Sequence, residues 1–501
     1  MIDGAEQRQP LDESFDYVIA GSGAAGATAA RVLADTGARV AVVEEGPPVV
    51  TADFGDRLWP AFQRLYRQQG TQVARGRAAI PILQASCLGG TTVVNSAIVR
   101  RLPADVWRSW QSAHGLGEAL PLDELQRHWD QLERELSVRS TAPEVWGQNN
   151  RLMADAALSM AVAGAPTQRY ESGCRGSARC SLGCPHGAKQ SMAESFLPYA
   201  AARGVVLFTR SRVEKVILDG DQATGVTGRF EPPPERREAV PFTLRARKGV
   251  LVAASAIQTP GLLARSGVRS PHLGRHFQGH PGVSLIGVFD QQVSLWDGAT
   301  QGFEIDEHLQ KGRFKVESLA LPPEILFSNL PGVGPAWLSH MAQAAHLAVW
   351  AVVLRSHAEG SVRHGRSGAQ IRFDPTPQDM DNLRRGLRFT AELFFGAGAR
   401  EVLTGIYGLP ERLTSADQAR LLADGPGNPA SYTWAMTHLF GTARMSVRPA
   451  HGVVGTDFAV HGTRKLYVID SSLFPTNLGV NPQHTIMAIA MQAAQRIAGG
   501  R

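Results

Sequence analysis

A chain of 501 residues, 43% hydrophobic and 19% charged, is too long for one compact core and predicts at least two intertwined domains of ordinary globular composition. Net charge is +6 and only six of 51 basic residues are lysine, an arginine bias that suits anionic ligands but fits a compositional habit better. No basic run with interleaved aromatics points to nucleic acid; the longest near-apolar run, 342–354, is too short to cross a bilayer; and no signal pattern opens the chain, so a cytoplasmic protein without a membrane span is expected.

Residues 15–46, FDYVIAGSGAAGATAARVLADTGARVAVVEEG, predict strand, tight turn, helix and second strand. Gly21, Gly23 and Gly26 supply G-x-G-x-x-G at the turn. The first glycine makes the turn and the second lets a pyrophosphate approach. The third lets helix and strand pack, which places phosphate at the helix N-terminus. Glu44, 23 residues after Gly21, stands where a carboxylate accepts ribose hydroxyls. The pattern predicts an adenine dinucleotide, NAD or FAD, and argues against NADP.

Further along, SCLGGTTVVNSAIVRR (86–101) offers backbone amides at Gly89 and Gly90 and side-chain hydrogen bonds at Thr91 and Asn95. GCRGSARCSLGCPHGAKQS (173–191) gathers Cys174, Cys180 and Cys184, three of the chain's four cysteines. ASAIQTPGLLARSGV (254–268) predicts a strand end and a helix opening at Thr259–Pro260. The C-terminal stretch predicts a strand ending at Asp470, an irregular loop and a last helix from about Gln483.

Together these segments resemble the glucose–methanol–choline (GMC) oxidoreductases, most strongly at 15–46, 86–101, 250–282 and 434–499, with Arg269 where a glycine usually closes the second signature. The resemblance implies an α/β fold: a Rossmann-type, non-contiguous FAD domain and an α+β substrate domain on an antiparallel sheet. The FAD segments are expected at 14–110, 195–285 and 435–501, an insertion with the cysteine run at 111–194, and the substrate domain at 286–434. It further implies that Asp470 meets the pyrophosphate, that the amides after Pro482, from Gln483 on, reach the flavin's pyrimidine edge, and that a backbone group at Val213 contacts the adenine. Val94 stands where some members attach FAD through histidine, so the flavin is expected to be non-covalent.

Flavin-dependent oxidation of an alcohol requires loss of the hydroxyl proton and hydride transfer to flavin N5, for which a base and an oxygen-positioning group are needed. By resemblance, THLFGTARM supplies His438 as base and GVNPQHT supplies Asn481 as its partner on the oxygen. His484 competes with Asn481, His280 is expected to brace a turn or line the flavin domain, and no motif supports Glu304 or Glu317 as an auxiliary base. The alternative on the same fold is a non-redox FAD-containing lyase.

The cysteine run has spacing C-x5-C-x3-C. Its CPxGA ending resembles FAD-dependent sugar dehydrogenase subunits, which implies a [3Fe–4S] cluster on Cys174, Cys180 and Cys184. The GxK ending at Lys189 resembles long-chain alcohol oxidases, which implies none. Buried or disulfide-linked cysteines and a zinc site are the other readings. The apolar stretch 317–341 suggests a hydrophobic or sterol-like alcohol, although core packing explains it as well and a sugar is the other substrate class. Oxygen, a quinone or a redox protein would take the electrons.

Overall fold

The computed structural model describes residues 1–500 apart from positions 234, 236, 237, 310, 312 and 367. Leu11–Ala20 ends in Tyr17, Val18, Ile19 and Ala20, all buried, as suits a central strand covered on both faces. It runs parallel to Val40–Val43 on one side and Val240–Val252 on the other. The crossover between the first two is the helix Ala24–Ala34, whose small buried residues let it pack on the C-terminal helix Gln483–Gly499. Val206–Thr209 extends one edge and Leu466–Val468 pairs with Val240–Val252, both parallel. Gln222–Phe230 and Ser211–Asp219 complete the other edge as an antiparallel meander. One sheet is thus built from segments hundreds of residues apart.

The helix Ser255–Arg265 opens four residues before the expected Thr259–Pro260 start and carries Pro260 inside it. A proline there removes the N–H that would satisfy the carbonyl one turn back. That carbonyl, Ala256 O, instead accepts the hydroxyl of Thr442 at 2.5 Å.

The second large sheet is antiparallel throughout. Gln278–Val288 pairs with Leu347–Leu354, Glu401–Leu403 and Trp434–Phe440, and the sheet continues through Phe314–Ser318 and Phe303–Ile305 to Gly164–Pro166. Across it lies the helix Pro377–Gly396, opened by a reciprocal Thr376–Asp379 capping box. Phe394 of that helix stacks on Trp350 with ring centroids 3.9 Å apart. Within 317–341, the helices Pro323–Asn329 and Pro335–Ala342 pack on a small cluster with Leu326, Leu330, Leu347 and Val349. Among the described residues, no helix is long and apolar enough to cross a membrane.

Candidate active site

A cavity of about 1010 Å³ lies where the two sheets meet. Gly21, Gly23, Glu44, Gly90, Thr91 and Asn95 line it, and so do Val213, Asp470, Pro482 and Gln483. Gly26 and Gly89 stand behind the wall. A Cβ on Gly26 would sit 1.9 Å from Gly21 O, so only glycine allows the helix this close to the turn. Gly21 itself has φ +106°, and a Cβ there would meet Ala253 O at 2.3 Å.

The residues present fit a dinucleotide. A Cβ on Gly23 would meet no protein atom within 4 Å, so the space above the helix N-terminus is open. Gly90, from the second glycine loop, closes in on Gly23 until a Cβ would lie 2.9 Å from Gly23 Cα. Glu44 accepts Ser22 Oγ–H at 2.6 Å, Ser22 N–H and Gly46 N–H, so the carboxylate braces the turn from the cavity wall. Burial pushes its pKa up, with neighbouring Glu45 adding to the shift and these hydrogen bonds opposing it. Asp470 likewise accepts Ser255 N–H, Thr259 Oγ–H and Ser472 N–H, joining the last strand to the helix Ser255–Arg265. Asn95 donates to Gln483 Oε1 at 2.6 Å, which ties the second glycine loop to the C-terminal helix.

His438 and Asn481 meet at the wall of the cavity, Nε2 to Nδ2 at 3.3 Å. A β-bulge presents the histidine. Between the pairs Gln278–Phe440 and His280–Thr437 one strand advances two residues and the other three. Inside that irregularity His438 adopts φ +58°, a left-handed conformation uncommon outside glycine and typical of functional strain. The same register brings His280 Nδ1 to 3.1 Å from His438 Nδ1. The sequence missed this role for His280, because a lone histidine 158 positions away carries no pairing signal. Burial first and the charge of Lys315 second lower His438 to about 3, so the imidazole is neutral. His280 is pushed far down by burial, then by His438.

Hydrogen-bond partners then assign the protons. Gly479 N–H donates to His280 Nε2 at 2.9 Å, so neutral His280 carries its proton on Nδ1, facing His438. His438 in turn keeps its own proton on Nε2, opposite Asn481. Lys315 Nζ donates to Asn481 Oδ1 at 2.5 Å, which turns the amide N–H toward that same Nε2. Two donors therefore face each other across 3.3 Å.

Lys315 is fully buried and ion-paired with Glu304 at 3.1 Å and Glu317 at 2.5 Å. The two acids are counterions of a lysine that the sequence reading overlooked. Of the stretch 317–341 only Glu317 reaches the cavity wall, where Gln301 donates to it, so the apolar run builds core and not a hydrophobic pocket. His484 lies elsewhere, buried between Tyr170 OH at 2.6 Å and Glu133 at 3.1 Å.

Cys174, Cys180 and Cys184 are free thiols around a cavity of about 20 Å³. Cys180 Sγ accepts from buried Arg169 at 3.2 Å. Burial pushes this thiol up, Arg169 and Lys189 more than offset that, and its net shift is downward. Among the described residues no three His, Cys, Asp or Glu side chains are arranged to hold a metal ion, so the donors do not fit the cluster implied by CPxGA. Lys189 explains the run's position: its buried ammonium donates to Val93 O, Asn95 O and Cys180 O, clamping the loop beneath the second glycine segment.

Residues 15–282 and 356–490 match the N-terminal and C-terminal models of GMC oxidoreductase. An uncharacterized GMC-type oxidoreductase of Mycobacterium tuberculosis is 35% identical over 96% of this chain and 75% of its own length. One from Sinorhizobium fredii is 31% identical over 99% and 97%. A long-chain-alcohol oxidase of Arabidopsis thaliana is 27% identical over 98% and 68%. The fold is similar to that of a variant of Aspergillus oryzae formate oxidase, with TM-score 0.75 at 17% identity over 99% of both chains. The chain belongs to the GMC oxidoreductase family. It is accordingly a flavoprotein oxidoreductase of CH–OH donors with FAD as cofactor.

Proposed function

We propose that this chain oxidises an alcohol to its carbonyl, with the hydroxyl oxygen seated between Asn481 and His438. The supporting observation is the meeting of Asn481 Nδ2 and His438 Nε2 at 3.3 Å on the cavity wall. Asn481, its oxygen held by Lys315, donates to the alcohol oxygen. His438 Nε2 takes the hydroxyl proton when the imidazole proton resides on Nδ1. The Nδ1–Nδ1 contact with His280 allows that tautomer at the expense of the Gly479 hydrogen bond. His438 thereby serves as general base and Asn481 as the positioning donor. A bound FAD would supply the acceptor for the hydride of the carbinol carbon. Gly23, Gly90 and the helix start at Gln483 would hold it without a covalent bond, since Val94 has no nucleophile.

Long-chain alcohols are the first substrate class to test, the class named for the Arabidopsis relative. Polar Gln301 and Glu317 beside the pair make hydroxyl-rich substrates the second. The test is anaerobic mixing of the purified yellow protein with a panel of long-chain, sterol-like and sugar alcohols, followed by oxygen or a quinone. Bleaching of the flavin absorbance by at least one alcohol, with recovery on adding an acceptor, is expected. An oxidised spectrum unchanged by every class overturns the proposal.

A further inference from the structure

Lys315 lies in the strand Phe314–Ser318, whose five residues are all buried. A buried ammonium is costly unless every proton is matched. Here Glu304 and the Asn481 carbonyl oxygen accept hydrogen bonds from it, and Glu317 offsets its charge from 2.5 Å. Burial lowers the lysine's pKa, but the two carboxylates outweigh it and the net shift is upward. Glu304 is held in place from its far side by Arg100 at 2.6 Å, and Glu317 by Gln301 at 2.7 Å. The ammonium is thus a fixed charge with one donor directed at one atom of the catalytic pair.

Without that donor, the Asn481 amide has a better orientation. Rotated by half a turn, it would place Oδ1 opposite the Nε2–H of His438 and convert two facing donors into a hydrogen bond. The rotated pair would satisfy itself. It would also lock the His438 proton on Nε2, where a base needs a lone pair, and fill the position meant for an alcohol oxygen. Lysine has donors and no acceptor. Facing Oδ1 it excludes the rotated amide, which would present N–H to N–H.

We propose that Lys315 is a positioning residue that holds the Asn481 amide with its N–H toward His438 Nε2, and so keeps the amide oxygen from locking the His438 proton on the nitrogen that must act as base. The inference rests on the alcohol-oxidising reading and adds to it the group that holds the site open. The groups facing His438 are His280, Asn481 and, through it, Lys315; those facing Lys315 are Glu304, Glu317 and Asn481, with Arg100 behind Glu304.

The test is a double-mutant cycle on the holoenzyme. Lys315→Met is combined with Glu317→Gln to keep the buried charge balanced, since Glu304 retains Arg100, and Glu317→Gln alone serves as control. The variants are crossed with Asn481→Ala, and visible flavin absorbance and thermal unfolding verify folding. Two quantities are read: kcat/KM for the best alcohol, and the Kd of a tertiary alcohol, which has the hydroxyl but no transferable hydrogen on its carbinol carbon. Relative to the control, losing a charged donor should weaken both by at least about tenfold. In the Asn481→Ala background the same change should cost no more than about twofold, because Lys315 acts through that amide. Losses that add in full, or values unchanged from the control, overturn the proposal. Should the lysine variant not fold, neutron diffraction from the wild-type holoenzyme decides: Asn481 Nδ2 toward His438 supports the role and Oδ1 toward His438 overturns it. The neutron result stands even if no alcohol is bound or oxidised, an outcome that would remove the proposed function and leave the positioning role to be judged alone.

Discussion

Thr442 Oγ1 donates to Ala256 O, the carbonyl that Pro260 leaves without an N–H. Thr442 belongs to the same stretch as His438, so the motif HLFGT carries both a catalytic candidate and the repair of a proline-containing helix beside the cavity. Thr442 is completely buried. Thr442→Val keeps the shape and removes the donor, and should lower stability by about 1–3 kcal/mol. Urea unfolding measures this; a midpoint equal to wild type would mean that water or another donor satisfies Ala256.

His438→Ala should leave the flavin spectrum in place and slow flavin reduction by alcohol by at least about 10²-fold, the scale of a lost general base. Asn481→Ala should slow it as well. His280→Ala is expected to have a smaller effect through His438, by removing the partner at 3.1 Å that sets its tautomer. Stopped-flow reduction rates rank the three; wild-type speed in His438→Ala would exclude it as base.

The pH profile follows from the His438 shift. Its base form exists above its pKa, and burial with Lys315 moves that pKa from 6.5 to about 3. kcat/KM should therefore show no loss near the ordinary histidine pKa as pH falls from about 7 to about 5. Stability runs the other way. The unfolded chain binds the proton at 6.5 while the folded chain refuses it until about 3, so folding weakens as pH drops below 6.5. An acid limb of kcat/KM centred near the ordinary histidine value would contradict the buried, neutral imidazole.

How much of this was legible in the sequence depended on whether a residue's role was local. Gly21, Gly23 and Gly26 could be recognised because a tight turn and a close helix impose glycine within six residues. Residues 15–46 accordingly fold as expected, although Leu11–Ala20 begins earlier than the apolar run. The helix start at Ser255 was hidden because proline usually opens helices, and the donor that excuses Pro260 lies 186 residues away. Lys315 was hidden for a related reason. In F-K-V-E-S the alternation suggests lysine and glutamate on a wet face, yet their charges neutralise each other and both are buried. His438 and Asn481 were found through family resemblance, while the strand register that adds His280 has no sequence signature.

Val94 is buried in the cavity wall where an attaching histidine would stand in some relatives. Acid precipitation should release all the yellow colour into the supernatant as FAD. Colour retained in the washed precipitate would show a covalent bond made by another residue.

Lys189 and the cysteines give the last prediction. The lysine ammonium joins Cys180 O to Val93 O and Asn95 O, so the cysteine loop supports the second glycine segment from below. Lys189→Met would remove the charged donor from Val93 O, Asn95 O and Cys180 O, of which Cys180 O keeps the Gly183 N–H, and hydrogen bonds to a charged group are each worth about 1.5–3 kcal/mol. FAD affinity should fall at least about tenfold, measured by fluorescence as flavin leaves the diluted holoenzyme. The sulfurs are expected to contribute differently. Cys180 Sγ is committed to Arg169, and no three-ligand group exists among the described residues. Anaerobically purified protein should hold far less than the roughly three irons per chain of a cluster held by closely spaced thiolates. Cys180→Ser should preserve flavin reduction, since serine keeps the backbone carbonyl that Lys189 binds. Stoichiometric iron lost together with electron transfer in Cys180→Ser would show instead that the thiols regroup around a cluster and that the loop carries electrons.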